Sequence, residues 1–147
     1  MSKLIIIQGP TASGKSSLSL QVALKLGAPI LSADSRQFYK ELSIGTAKPS
    51  TKEQGLVDHY FVDSHSIHDL TITSAEFMKL GRQKIAQLFN EGHKYIVVTG
   101  GSGMFIDALI NGLHPSPSDA SVRFDLNEEW KSKGIEKLIE ELKKKDS

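Results

Sequence analysis

The feature that most restricts this chain is the stretch Gly9-Pro10-Thr11-Ala12-Ser13-Gly14-Lys15-Ser16, a match to G-x-x-x-x-G-K-[ST] lying between an apolar run and a helical pattern. Lys3 to Gln8 is a short β-branched run of the kind that forms a buried parallel strand, and Ser17 to Leu26 continues as a helix. Strand, loop and helix in that order build an anion site. The glycines let the backbone wrap so that successive N–H groups point inward, and the helix brings the positive end of its dipole to the same place. Lys15 then reaches the outer phosphates, and the Ser16 hydroxyl is placed to ligate Mg²⁺, the cofactor this loop implies. On these residues alone the loop is a phosphate cradle whose ligand is open.

The rest of the chain supplies the frame. Leu26-Gly27-Ala28-Pro29 reads as a helix stop and Ile30-Leu31-Ser32 as a second strand. The polar cluster from Ala33 to Tyr39 then falls at that strand's C-terminal end, where ligands collect in open α/β sheets. Residues 43 to 73 are weakly periodic and read mostly as loop. Thr73 and Glu76 have the spacing of a capping box, opening a helix that runs to about Asn90 with Phe77, Leu80, Gly81, Ile85, Leu88 and Phe89 on one face. Tyr95 to Thr99 is a third strand, Gly100-Gly101-Ser102-Gly103 a glycine-rich turn, and Met104 to Ile110 a short helix. Strands alternating with helices predict an α/β fold: a parallel sheet covered on both faces.

Three spans follow from this: a core over 1–112, a linker over 113–121 that carries Pro115 and Pro117, and a helical segment over 122–147. Within the last, Ile135, Leu138, Ile139 and Leu142 share a face that needs a partner. No strand follows to close the sheet, so the core is expected to be incomplete.

Composition excludes several classes. With 39% hydrophobic and 24% charged residues, the 147-residue chain is neither disordered nor fibrous. A net charge of +1 leaves any attraction to nucleic acid to a local patch. The absence of cysteine rules out disulfides and thiolate metal sites and suits a cytoplasmic protein. The first apolar stretch is too short for a signal peptide, and no run approaches the ~18 apolar residues of a membrane span, so no membrane association is expected. His59, His65 and His68 lack the spacing of a metal site, and Lys143 to Lys145 reads as a solvated helix end.

Asp34 is the second candidate after Lys15. A carboxylate at a strand end beside a phosphate loop serves as a general base or helps hold Mg²⁺, and it serves equally as an N-cap for the residues after it. Arg36 and Gln37 have the donors and acceptors to read a phosphate or a base edge, or to sit in solvent. Gly100 to Gly103 is either a second anion nest or a turn that needs glycine for steric reasons.

GPTASGKS, then Ile30 to Tyr39 (ILSADSRQFY), Ile44 to Ser50 (IGTAKPS) and Val97 to Gly112 (VVTGGSGMFIDALING), resemble in order and spacing the tRNA dimethylallyltransferases. The resemblance runs over essentially the whole chain, and its DSRQ and IGTAKP elements are more specific than the phosphate loop. It implies a P-loop NTPase-like core with a helical tRNA-binding insertion. It implies a prenyltransferase that moves a dimethylallyl group from dimethylallyl diphosphate to the N6 amine of the adenosine beside the tRNA anticodon, so that Gly9 to Ser16 holds a prenyl diphosphate and not ATP. Asp34 would be the base, Thr11 a diphosphate contact, and Lys15, with Mg²⁺ held through Ser16, the counter-charge. Asp34, Ser35, Arg36, Gln37, Ser102 and Arg123 would touch tRNA, and the enzyme is expected to act as a monomer.

The sequence also departs from the family pattern. Ser102 stands where Thr is usual, Asp58 precedes His59 where a second His is common, and Ser43 replaces a common Asp. Members are roughly twice as long, and their other half carries a Q-x-x-R tRNA contact, a diphosphate-binding arginine and further strands. This chain is therefore expected to be an N-terminal part. A P-loop kinase of small molecules, an adenylate isopentenyltransferase and a non-catalytic phosphate-binding fragment stay open as alternatives.

Overall fold

A computed structural model of the chain describes residues 1–69, 71–113 and 119–146. The chain divides into two compact units, Met1–Leu113 and His114–Ser147.

The first unit is built on β1 (Lys3–Gln8), α1 (Lys15–Leu26), β2 (Ile30–Ser32), α2 (Thr51–Gln54), β3 (His59–Tyr60), α3 (Ser74–Asn90), β4 (Tyr95–Gly100) and α4 (Gly103–Asn111). The four strands form one parallel sheet in the order β1-β4-β2-β3. Because side chains alternate across a strand, the apolar runs feed two cores. Leu4, Ile6, Leu31, Ile96 and Val98 face one side, where Phe77 and Leu88 of α3 and Phe105, Ile106 and Leu109 of α4 cover them. Ile5, Ile7, Ile30 and Val97 face the other, against Val22, Ala23 and Leu26 of α1. Phe38, Phe77 and Phe105 meet with ring centroids 5.0–5.9 Å apart, an aromatic knot under the sheet's C-terminal end. The α/β architecture expected from the alternation is therefore present, with helices on both faces.

Local signals act as written. Thr73 Oγ1 accepts from the Glu76 N–H at 3.2 Å while Glu76 Oε2 accepts from the Thr73 N–H at 3.0 Å, which satisfies free donors at the start of α3. Gly81 lies where α3 crosses α4: a Cβ there would stand 2.8 Å from Leu109 Cδ1. On the expected face of α3, Phe77, Gly81 and Leu88 are buried, and Leu80, Ile85 and Phe89 are half-buried.

Two differences matter. The helix after the phosphate loop begins at Lys15 and not Ser17, so Lys15 and Ser16 stand in its first turn. The stretch read as loop contains α2 and the edge strand β3, which makes Tyr95–Gly100 the fourth strand. A two-residue strand has no alternation to detect; it exists because His59 and Tyr60 pair with Ile30 and Leu31.

In the second unit, α5 (Ala120–Lys133) and α6 (Ile135–Lys145) are joined at Gly134, whose φ of 80° favours glycine. Glu129 accepts from Lys133 at 3.0 Å and from Lys137 at 2.8 Å, linking the two helices. Most of the expected linker, residues 114–118, lies outside the described residues. Among the described residues no helix is long and apolar enough to cross a membrane.

Candidate functional site

The C-terminal ends of β1, β2 and β4 converge on one cavity of about 660 Å³. It is lined by Thr11 to Ser17 of the phosphate loop and α1, by Asp34 to Gln37 after β2, by Thr99 to Ser102 after β4, and by Gly45 to Ala47 with Pro49.

In the phosphate loop the backbone is bent for the purpose. Gly14, the N-cap of α1, has φ 84°, and Ala12 holds φ 62°, a conformation an L-residue adopts at a cost. A Cβ on Gly14 would meet nothing within 4 Å, so its dihedral and not crowding demands glycine. As an N-cap without a side-chain acceptor, Gly14 leaves the first N–H groups of α1 for an anion. Lys15 Nζ arches over the loop and donates to the Pro10 carbonyl. The Ser16 side chain is exposed to the cavity.

The turn after β2 is tied to β4. Ala33 N–H donates to Thr99 O at 2.7 Å, Ser102 N–H to Ala33 O at 3.3 Å, and Ser35 N–H to Ser102 Oγ at 3.1 Å. The strands approach so closely that a Cβ on Gly100 would lie 2.2 Å from Ala33 O. Of the two readings of this glycine turn, the steric one accounts for Gly100.

The segment after Asp34 is a turn and not the helix that an N-cap would open. Oδ1 accepts from the Arg36 N–H at 3.0 Å and the Asp34 carbonyl from the Gln37 N–H at 3.1 Å, so the residue shapes its own turn. A Cβ built on Gly101 would be 3.9 Å from Asp34 Oδ2 and 3.9 Å from Gly9 O, so both border Gly101. The carboxylate is half-buried at the cavity wall, placed to accept a proton from a ligand there.

Of the residues singled out from sequence, Thr11, Ala12, Ser13, Gly14, Lys15, Ser16, Asp34, Ser35, Arg36, Gln37 and Ser102 line this one cavity. Gly9 and Pro10 form the loop behind it. Arg123 belongs to α5, in the second unit. Sequence reasoning gave no signal for Glu53 and His59, which also line the cavity. His59 Nδ1 is 2.7 Å from the Val57 carbonyl, which can only accept, so this nitrogen carries a proton. Glu53 completes a capping box with Ser50, and the hydroxyl and N–H of Ser50 hold its carboxyl below the usual carboxylate range. Backbone strain gathers around the same cavity. Among the described residues, non-glycine positive φ occurs at Ala12, Ala47, Phe61 and Asp63, the first two on the cavity and the others flanking its Val62. Among the described residues no three His, Asp or Glu side chains group as a metal site, so a cation here would rest on Ser16 and a ligand's own phosphate oxygens.

Comparison with known proteins gives a consistent result. A tRNA dimethylallyltransferase of Cytophaga hutchinsonii is 42% identical over 97% of this chain, and one of Acaryochloris marina is 51% identical over 75% of it. The tRNA isopentenylpyrophosphate transferase of Bacillus halodurans superposes over 99% of the chain with a TM-score of 0.72 and 31% identity. A eukaryotic dimethylallyltransferase acting on tRNA does so over 85% with a TM-score of 0.73 and 26% identity. The chain spans 47% of the Cytophaga relative, 36% of the Acaryochloris relative, and 48% and 32% of the two solved structures, respectively. The family model described as IPP transferase matches residues 37–147, and the chain, with its cavity at the end of the parallel sheet, belongs to the IPP transferase family.

Proposed function

We propose that this chain forms the donor-binding part of a prenyltransferase that transfers a dimethylallyl group from dimethylallyl diphosphate to N6 of the adenosine beside a tRNA anticodon. The observation that carries this reading is the single cavity that Asp34 lines together with Thr11 to Ser16, one carboxylate on the same cavity as a phosphate cradle. An exocyclic amine is a poor nucleophile, and diphosphate leaves only if its growing charge is neutralised. The N6 lone pair attacks the first carbon of the prenyl group, the carbon–oxygen bond breaks, and diphosphate departs with the electron pair. Asp34 takes the N6 proton. The N–H groups of Ala12 to Ser16, the Thr11 hydroxyl and Lys15 Nζ receive the diphosphate. Ser16 would hold Mg²⁺, which adds positive charge against the leaving oxygens when bound. Ser35 and Arg36, with exposed side chains, Ser102 and Arg123 meet the RNA, whose target base leaves its stack at a cost of a few kcal/mol. The reaction is that of a cytoplasmic enzyme acting as a monomer.

The test is transfer of labelled dimethylallyl to tRNA by a protein carrying this chain and the remainder of the family's length. Asp34→Asn is expected to lower turnover by about 10²–10⁴ while donor affinity stays within about threefold. Equal loss of both would remove Asp34 as the base. ATP consumption with a small acceptor and no labelled RNA would favour the kinase alternative, and label on free AMP in preference to tRNA the adenylate one.

A further inference from the structure

The resemblance assigns the whole DSRQ turn to RNA, yet the side chain of Gln37 is engaged inside the protein. Its Oε1 accepts from the Ser32 hydroxyl at 2.7 Å, and its Nε2 donates to the Thr46 carbonyl at 3.1 Å and the Ala47 carbonyl at 3.0 Å. The orientation of this amide is fixed by chemistry, since two carbonyl oxygens can face only its NH₂ end. Both amide hydrogens are therefore used, leaving no donor for a base edge. The backbone of Gln37 is tied as well: its N–H donates to Asp34 O at 3.1 Å and its carbonyl accepts from Asp63 N–H at 3.0 Å.

What the amide holds is the cavity wall. Gly45 has φ 75° and Ala47 φ 47°, so this loop is not a conformation the chain adopts unaided. Thr46 Oγ1 returns a bond to Leu42 O at 2.8 Å. Next to it Lys48, with a side chain only 8% exposed, bonds Tyr39 O and Asp63 Oδ1, both at 2.6 Å. Gly45, Thr46 and Ala47 then line the same cavity as the phosphate loop.

We propose that Gln37 is a positioning residue: its amide ties β2 to the Gly45–Ala47 loop and so holds the wall of the prenyl-donor cavity, in place of contacting RNA. The kinetic part of this proposal rests on the prenyl-transfer reading; the structural part does not. The test is amide hydrogen exchange of residues 44–48 in the protein without tRNA, compared between the unsubstituted chain, Gln37→Glu and Ser32→Ala. Gln37→Glu keeps the acceptor for Ser32 but sets a carboxylate against two carbonyls; exchange is expected to quicken about tenfold or more. Ser32→Ala frees only the far end of the amide, keeps the fold and gives a smaller acceleration. In the longer enzyme Gln37→Glu should raise KM for dimethylallyl diphosphate as well as for tRNA. Unchanged exchange in Ser32→Ala and Gln37→Glu, with a rise confined to the KM for tRNA, would overturn the proposal and return Gln37 to the RNA. If prenyl transfer itself is not observed, the exchange result still decides the clamp. Should Gln37→Glu fail to fold, unaltered exchange in Ser32→Ala overturns the clamp and faster exchange supports it.

Discussion

Two glycine-rich turns lead from parallel strands into helices in this molecule, and they use glycine for opposite reasons. After β1, Gly14 sits in open space and is required for its left-handed dihedral. After β4, Gly100 is required because the Ala33 carbonyl occupies the place a side chain would take. One turn presents its backbone to the cavity; the other presents its backbone to the protein. The same composition therefore marks an open loop in one place and a seam in the other.

Substitutions separate the two. Gly100→Ala is expected to cost about 3 kcal/mol or more, because backbone and not a flexible side chain must move, and the loss should be seen as a large fall in Tm. A fall no greater than that of an exposed glycine substitution would break the contrast. At Gly14 the penalty should depend on the dihedral preference of the incoming residue. Gly14→Val is expected to lose about 1–2 kcal/mol and Gly14→Asn roughly half as much, with inorganic pyrophosphate binding weakened in the same order by calorimetry. Equal losses would mean that space governs this turn too. The smallest effect is at the seam's edge: Ser102→Ala removes the acceptor for Ser35 N–H and should cost about 1 kcal/mol in urea unfolding, while Ser102→Thr keeps it. A Thr variant as weak as the Ala variant would show that this hydroxyl does not join the turns.

Much of this was visible in the residues. The runs Lys3–Gln8, Ile30–Ser32 and Tyr95–Gly100 are apolar on both faces, as strands buried between two layers must be. Thr73 and Glu76 announced α3, and the phosphate loop and Asp34 fell on one cavity because strand ends of a parallel sheet share an edge. What spacing could not convey was direction. Gln37 and Arg36 are adjacent polar residues of one turn, and only tertiary neighbours decide that the first turns inward. The Gly45–Ala47 loop was equally hidden, since its carbonyls are held by Gln37 and not by local propensity.

Lys48 has an electrostatic consequence. With its ammonium 2.6 Å from Asp63, the pair behaves at a distance as a dipole, and its field fades well before that of a lone charge would. Lys15 has no carboxylate partner among the described residues, and Arg36 is exposed at the cavity rim. An approaching polyanion therefore meets its attraction at Lys15 and Arg36, to which the paired Lys48 adds little.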